Sequence, residues 1–530
     1  MARQSRQPRQ DRKPGAARKG RPALQRRSRL LANRIILAVL VVVALAALDG
    51  LAGLVKPLVL ARASQAGQQA KLDVTSAMIG CPAPGSAGTT GGGIAIANVP
   101  SGVGAGQASL TELNQGKPGT HVGTVPRPGQ LTVEKVKAAP PVPRKRVVTE
   151  KMAGGRVPTG PARGGLIVAA RGDNAQGLDV EQLGPGGQPT ARCEPAGSDF
   201  WFLSPGSAKL HISLYLMNTD NEPADAAVSI QTDSGPLLGD QDSGIVVPPH
   251  SMIVQQIDKL VHAAKAIALH VTTSTGRVVA AVRDSESAKK EGMWLPAAHA
   301  PSTTQYLAGL PSVPGARELY ITVPGTAAAQ VKVTAITPRG SYQPTGGSSI
   351  PMLGHLTTGI ALPSLSGFPG AIKVTSNVPV TASLEVPGGP IGSPGSFVVG
   401  SEPITGQGVV AASPAGKVGR AELVLAAPGR SASVSVAQAI PGSALTASNG
   451  QVVHIPAKSA VEVKVTVPKR EKKVSLIAIV VTPLRGSGPV FAGRVAVIDG
   501  SVQTVQPVIA SPAEIRLTKV RESLLSILGS

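Results

Sequence analysis

Aromatic side chains are scarce in this chain, with five Phe, two Trp and four Tyr among 530 residues. So few rings exclude a long stacking platform for bases or sugars, because each stacked unit needs an aromatic face of its own. Cysteine is scarcer still. Cys81 and Cys193 are the only two, and neither has a second Cys or a His at ligand spacing, so no metal site is expected. Enzyme signatures are missing as well: there is no G-x-S-x-G elbow, no H-E-x-x-H and no G-x-x-x-x-G-K-[ST]. Gly102, Gly104 and Gly106 are spaced like a phosphate loop but lie in low-complexity sequence, without a strand before them or a helix after them. No cofactor is expected.

Acidic residues number 30 against 52 Lys and Arg, a net charge of +22. A nucleic-acid surface requires that excess on a folded face, and it is not there. Residues 1–34 hold twelve Lys and Arg against the single acid Asp11, so half of the excess is one tail. Ile35–Leu48 follows without a charge, and reading through Asp49 towards Leu60 reaches the roughly 20 residues needed to cross a bilayer. Basic residues before the segment and few after it orient the tail to the cytoplasm and everything downstream to the outside. Two outcomes fit this pattern: a retained single-pass anchor in the cytoplasmic membrane, or cleavage after Ala61-Arg62-Ala63, which has small-x-small spacing, and secretion from Ser64. In either case nucleic acid is not an expected partner. In an oxidising compartment a lone pair of cysteines is expected to bridge, so Cys81 and Cys193 are assigned as a disulfide.

Glycine and proline are abundant, at 62 and 47 residues, which argues against a helical protein. The 42% hydrophobic content is too high for wholesale disorder, leaving short strands between turns. The segment 61–163, rich in Gly, Pro and Ala, is expected to be irregular, with the buried strand Gly165–Ala170 after it. From about residue 210 the pattern repeats. Alternating strands open at Leu210, Leu319 and Leu423, each followed by a polar or Pro-Gly turn and a second alternating strand. Two further strands close each copy: Ile267–Thr272 and Val278–Val282, Ile372–Thr375 and Val380–Val386, Leu476–Val481 and Gly493–Val497.

The fold class is therefore all-β. Three tandem immunoglobulin-like β-sandwiches are expected at 164–300, 301–400 and 401–510, in series as a rod, after an N-terminal transmembrane helix at 35–60. A C-terminal tail at 511–530 carries the one helix candidate, with Ile515, Leu517, Val520, Leu524, Leu525, Ile527 and Leu528 partly fitting a helical stripe.

Cys81-Pro82-Ala83-Pro84, Cys193 followed by Trp201-Phe202, Gly292-Met293-Trp294-Leu295-Pro296 and Ser376-Asn377-Val378-Pro379-Val380-Thr381-Ala382 together resemble a family of exported actinobacterial cell-envelope proteins carrying a domain of unknown function. The resemblance covers roughly residues 74–500. It implies a β-rich extracytoplasmic protein and supplies no catalytic residue.

Trp201 and Trp294 are the candidate binding residues, since exposed indoles serve exported proteins as platforms. The structural alternative places Trp201 in the first sandwich near the disulfide and Trp294 as a plug at the junction with the second. The eight histidines are never closer than eight positions and read as strand-face or solvated side chains, although a Ser/His/Asp group assembled from distant positions stays open. Asp240-Gln241-Asp242-Ser243-Gly244 lacks the Glu of a calcium loop and reads as a solvated turn. Arg171-Gly172-Asp173 reads as a tight turn. The expected function is a non-enzymatic, membrane-anchored envelope protein that holds or binds an envelope glycan or envelope protein. The alternative is an accessory protein or hydrolase acting on envelope polysaccharide, which requires carboxylates converging beside an exposed Trp.

Overall fold

Period-two alternation becomes strands along the chain. Ala224–Thr232 buries every second residue, with Ala224, Ala226, Val228 and Ile230 inward, and Ala329–Thr337 does the same with Ala329, Val331, Val333 and Ala335. The computed structural model describes residues 71–82, 93–99, 105–114, 117–125, 132–135, 164–184, 188–206, 210–237, 244–261, 263–285, 292–365, 367–388, 395–441, 450–465, 474–511 and 514–516. Among the described residues every strand pairing is antiparallel and the only helical element is a single 3-10 turn at Pro363–Leu365. The expected basic tail and transmembrane segment lie outside the described residues. Among those described, no helix is long and apolar enough to cross a membrane.

The sheets stack in four pairs, one more than the three repeats announce. The additional pair comes from the segment expected to be irregular. Its first sheet runs Glu194–Pro195, Ser76–Cys81, Leu166–Gly172, Gly106–Asn114, Lys117–Val125; its second runs Thr132–Lys135, Gly93–Ala97, Asp179–Leu183, Pro189–Arg192. Apart from the hairpins that Gly106–Asn114 makes with Lys117–Val125 and Asp179–Leu183 with Pro189–Arg192, these strands find partners far along the chain, Ile79 opposite Val168 and Ile96 opposite Val180, so local composition does not reveal them. Ile79, Ile94, Ile96, Val168 and Val180 form the core between the two sheets. The strands over 166–192 thus belong with the Gly/Pro-rich segment and not, as expected, with the sandwich that follows. Arg171-Gly172-Asp173 sits where a strand ends in a turn, with Gly172 at φ 59°.

The second pair spans Asp199–Pro205 to Met293–Leu295 around a core that includes Phe202, Ile212, Leu214, Val228, Leu269, Val278 and Val282. In the third, the two strands expected at Ile372–Thr375 and Val380–Val386 are one 17-residue strand, Gly370–Val386. Its first half pairs with Ser302–Leu310 and Ala329–Thr337, its second with Glu318–Thr322 and Ser396–Val399, so one strand joins both sheets. Pro379, which has no N–H to donate, falls at the crossing between them. The fourth pair packs Gly408–Pro414, Leu476–Pro483, Ala432–Ala439 and Gln451–Ile455 against Ser459–Val465, Arg420–Ala427, Phe491–Ile498 and Ser501–Pro507.

Several strands are buried on both faces. Gly93–Ala97, Asp179–Leu183, Gly408–Pro414 and Phe491–Ile498 expose no residue, because a further sheet covers the side that water would otherwise wet. Small residues make this stacking close: Ala95, Ala97, Ala411, Ala437 and Ala478 fill the layer between the first and fourth pairs. Gly493 lies against Ala308 and Gly309 where the fourth pair meets the third. The second pair meets the third through Thr322 and Thr357, whose hydroxyls donate to the Gln231 side-chain and main-chain oxygens at 2.6 and 3.2 Å. Met217, Met252 and Val279 of the second pack against Leu113 and Ile167 of the first. Contacts therefore run from first to second, third, fourth and back to first, which corrects the expected open rod. Lys71–Arg516 is a single unit, and its ends pair with each other, Lys71 opposite Arg516. The C-terminal tail opens with this short strand, Glu514–Arg516, where a helix was expected; residues 517–530 lie outside the described part.

Candidate functional site at the four-way junction

Cys81 closes a strand of one sheet and Cys193 links Pro189–Arg192 of the facing sheet to Glu194–Pro195. They form the expected disulfide, with Cα atoms 4.6 Å apart and both residues fully buried. The bridge joins the two layers of the first pair.

Beside it runs the acid-rich strand Asp179–Leu183. Asp179 and Glu181, two residues apart, project from the same face towards the fourth sheet pair. A bulge in Gly408–Pro414, between Val410 and Ser413, takes Ala411 and Ala412 out of register with Leu476–Pro483. Their amides find the two carboxylates instead: Ala411 N–H donates to Asp179 at 2.8 Å and Ala412 N–H to Glu181 at 3.1 Å. Arg494 donates to Glu181 at 2.5 Å, to Gln506 at 2.8 Å and to the Thr504 hydroxyl at 2.7 Å. Arg192 donates to Asp179 at 2.8 Å and to Glu194 at 3.3 Å. Burial pushes the Glu181 carboxyl up against the opposing pull of Arg494, and burial likewise raises Glu194. Burial works against the Arg192 guanidinium, but Asp179 and Glu194 outweigh it and hold its pKa above the ordinary value.

Next to this network all four sheet pairs border a cavity of about 160 Å³. Arg192 and Glu194 come from the first pair, Phe202, Met293 and Trp294 from the second, Ser396 from the third, and Thr504 and Gln506 from the fourth. The volume suits one side chain or one small ring and falls below the roughly 300–1,000 Å³ of ordinary ligand pockets. Trp294 is half-buried there, its ring 5.1 Å from Tyr215 and 6.0 Å from the Arg283 guanidinium. Trp201 is elsewhere: it is 4% exposed and stacked on His270, ring centroids 3.9 Å apart at 12°. The two tryptophans are thus not brought together in one site.

Sequence reading missed Asp179, Glu181, Arg192 and Arg494, because Arg494 lies 313 positions from its partner. The alternation Asp179-Val180-Glu181 in a buried strand was the available signal, since adjacent same-face acids in a core require cations. Histidines do meet polar partners: His299 binds Glu402 at 2.6 Å, His270 binds Asp199 at 3.2 Å, and His454 binds the Ser433 hydroxyl at 2.8 Å. Among the described residues no carboxylate is hydrogen-bonded to His454, so this Ser–His pair is not extended to a triad. No group of three His, Cys, Asp or Glu side chains among the described residues has the geometry to hold a metal ion.

No curated protein and no solved structure matches the chain. Residues 148–467, more than half of its length, match a family of unknown function, DUF5719. That stretch runs from the first sheet pair through the second and third into the fourth, and it contains Asp179, Glu181, Cys193, Trp201 and Trp294. The chain belongs to the DUF5719 family of unknown function.

Proposed function

We propose that this protein is a non-enzymatic component of the cell envelope, anchored by its N-terminal hydrophobic segment, with residues 64–530 outside the cytoplasm and a holding or binding role towards an envelope glycan or protein. In this reading the second, third and fourth sheet pairs are immunoglobulin-like repeats, matching the spacing of their opening strands in the sequence. The basic tail before an uncharged stretch supports the orientation, and the buried disulfide suits an oxidising compartment.

One observation carries the non-enzymatic reading. The densest cluster of acids, Asp179, Glu181 and Glu194, is neutralised by Arg192, Arg494 and two backbone amides. Carboxylates held in this way, as Asp179 and Glu181 are, join sheets together rather than facing a substrate. The Trp294 cavity, where a partner's single side chain or ring fits, is the candidate contact.

Intact spheroplasts from cells producing the full chain test the topology. External protease is expected to degrade the body of the protein, and Cys81 and Cys193 are expected to resist alkylation until reduced. A body protected from protease, with both thiols freely alkylated, would overturn the proposal. A mature N-terminus at Ser64 would replace the anchor by secretion.

A further inference from the structure

A second cleft, of about 380 Å³, opens where the third and fourth sheet pairs meet and shares no lining residue with the junction cavity. Its volume falls within the range of ligand pockets, roughly 300–1,000 Å³. Tyr306 and Phe491 contribute a ring pair, centroids 4.3 Å apart at 33°. Around them are polar groups. The exposed Thr304 hydroxyl lines the cleft, and Glu402, 72% exposed, uses only one carboxylate oxygen, on His299; the Ser401 hydroxyl has no partner but is shut off from solvent.

No Lys or Arg lines the cleft. Lys373 lies 5.8 Å from the Tyr306 ring centroid but is not part of the lining. That composition disfavours phosphate or uronate, which require cations. A half-buried aromatic beside an exposed hydroxyl and carboxylate is the chemistry that recognises a sugar: the C–H face lies on the ring, and the hydroxyls both donate and accept at the rim. Pro403, Pro428 and Pro489 also line the cleft, yet a proline-rich peptide brings no amide protons from its prolines to Glu402.

We propose that the cleft between the third and fourth sheet pairs binds a neutral hexose unit of an oligosaccharide, with Tyr306 as the stacking face and Glu402 and Thr304 as hydrogen-bonding partners. This site does not depend on the membrane-anchor reading, and its test is separate from the topology test.

The experiment is calorimetric titration of the purified full chain with maltotetraose, mannotetraose and chitotetraose, and with decaproline as the competing class. At least one saccharide is expected to bind with Kd at or below about 1 mM. Thr304→Trp, which fills the cleft from an exposed position, and Glu402→Ala are each expected to weaken binding at least about tenfold at unchanged melting temperature. Leu353→Ala, 67% exposed and outside the cleft, is expected to leave binding unchanged. The proposal fails if none of the three saccharides binds, if Thr304→Trp and Glu402→Ala bind as wild type does, or if decaproline alone binds.

Discussion

Glu181 and Arg494 meet in a direct ion pair although 313 positions separate them, and neither side chain is more than 1% exposed. Glu181 belongs to the first sheet pair and Arg494 to the last, so this contact closes the circuit of sheets. A buried pair stabilises only when its remaining hydrogen-bonding capacity is met. Here Ala412 N–H satisfies the second Glu181 oxygen, and Gln506 and Thr504 take further guanidinium protons, while the buried Arg494 Nε is left without a partner.

The close approach of the third and fourth pairs makes Gly493 intolerant of a side chain. A Cβ there would come within 2.5 Å of both the Ala308 carbonyl oxygen and Gly309 Cα, and backbone cannot move aside cheaply. Gly493→Ala is expected to lose about 1–3 kcal/mol or more in urea unfolding. Gly429→Ala, where a Cβ meets nothing within 4 Å, is expected to stay within about 0.5 kcal/mol of wild type.

Removing the disulfide frees a loop set by a sequence separation of 112. On the chain-entropy account, Cys81→Ser with Cys193→Ser costs about 4–5 kcal/mol. Thermal unfolding with and without reductant reads the effect, and the double variant is expected to be insensitive to reductant.

Asp284 sets a pH dependence. It is 2% exposed, and burial, with Glu385 adding, pushes its carboxyl from 3.8 up to about 7 against hydrogen bonding from Met293 N–H and the charge of Arg283. Between those values the folded chain holds a proton that the unfolded chain has released, so stability from this group falls as pH rises through the window. Burial raises Glu181, Glu194 and Glu385 with the same sign. Asp284→Asn is expected to match wild type near pH 4 and to exceed it above pH 7 by on the order of a few kcal/mol, as measured by urea unfolding across pH.

The two tryptophans are expected to separate by readout. Trp201→Ala removes a buried ring stacked on His270 and is expected to cost about 3–5 kcal/mol. Trp294→Ala, half-buried at the cavity, is expected to cost less, and loss of an envelope partner in affinity capture without loss of folding would assign the cavity to binding.

The all-β class and the strands of the second to fourth pairs were legible because Leu210–Leu216, Val331–Ala335 and Val434–Val436 alternate locally. The first pair was not, since Gly93–Ala97 and Gly106–Asn114 are rich in small residues and one partner of each, Asp179–Leu183 and Leu166–Gly172, lies more than 50 positions away, even though Thr132–Lys135 and Lys117–Val125 pair with them from nearer by. The crossing strand Gly370–Val386 was read as two because Pro379 usually ends a strand, whereas here it sits where no ladder bond is needed. The junction escaped for a similar reason: Asp179 and Glu181 are visible in sequence, but their cations and amides arrive only through the stacking of sheets.

A double-mutant cycle on Glu181 and Arg494 tests the closed circuit most directly, by urea unfolding of wild type, Glu181→Gln, Arg494→Met and the double variant. Each single change leaves a buried group unpaired and is expected to cost about 3–5 kcal/mol, while the double variant costs well below the sum of the two. Strict additivity of the two single losses would mean that the residues do not touch, and the first and fourth sheet pairs would then not be joined there.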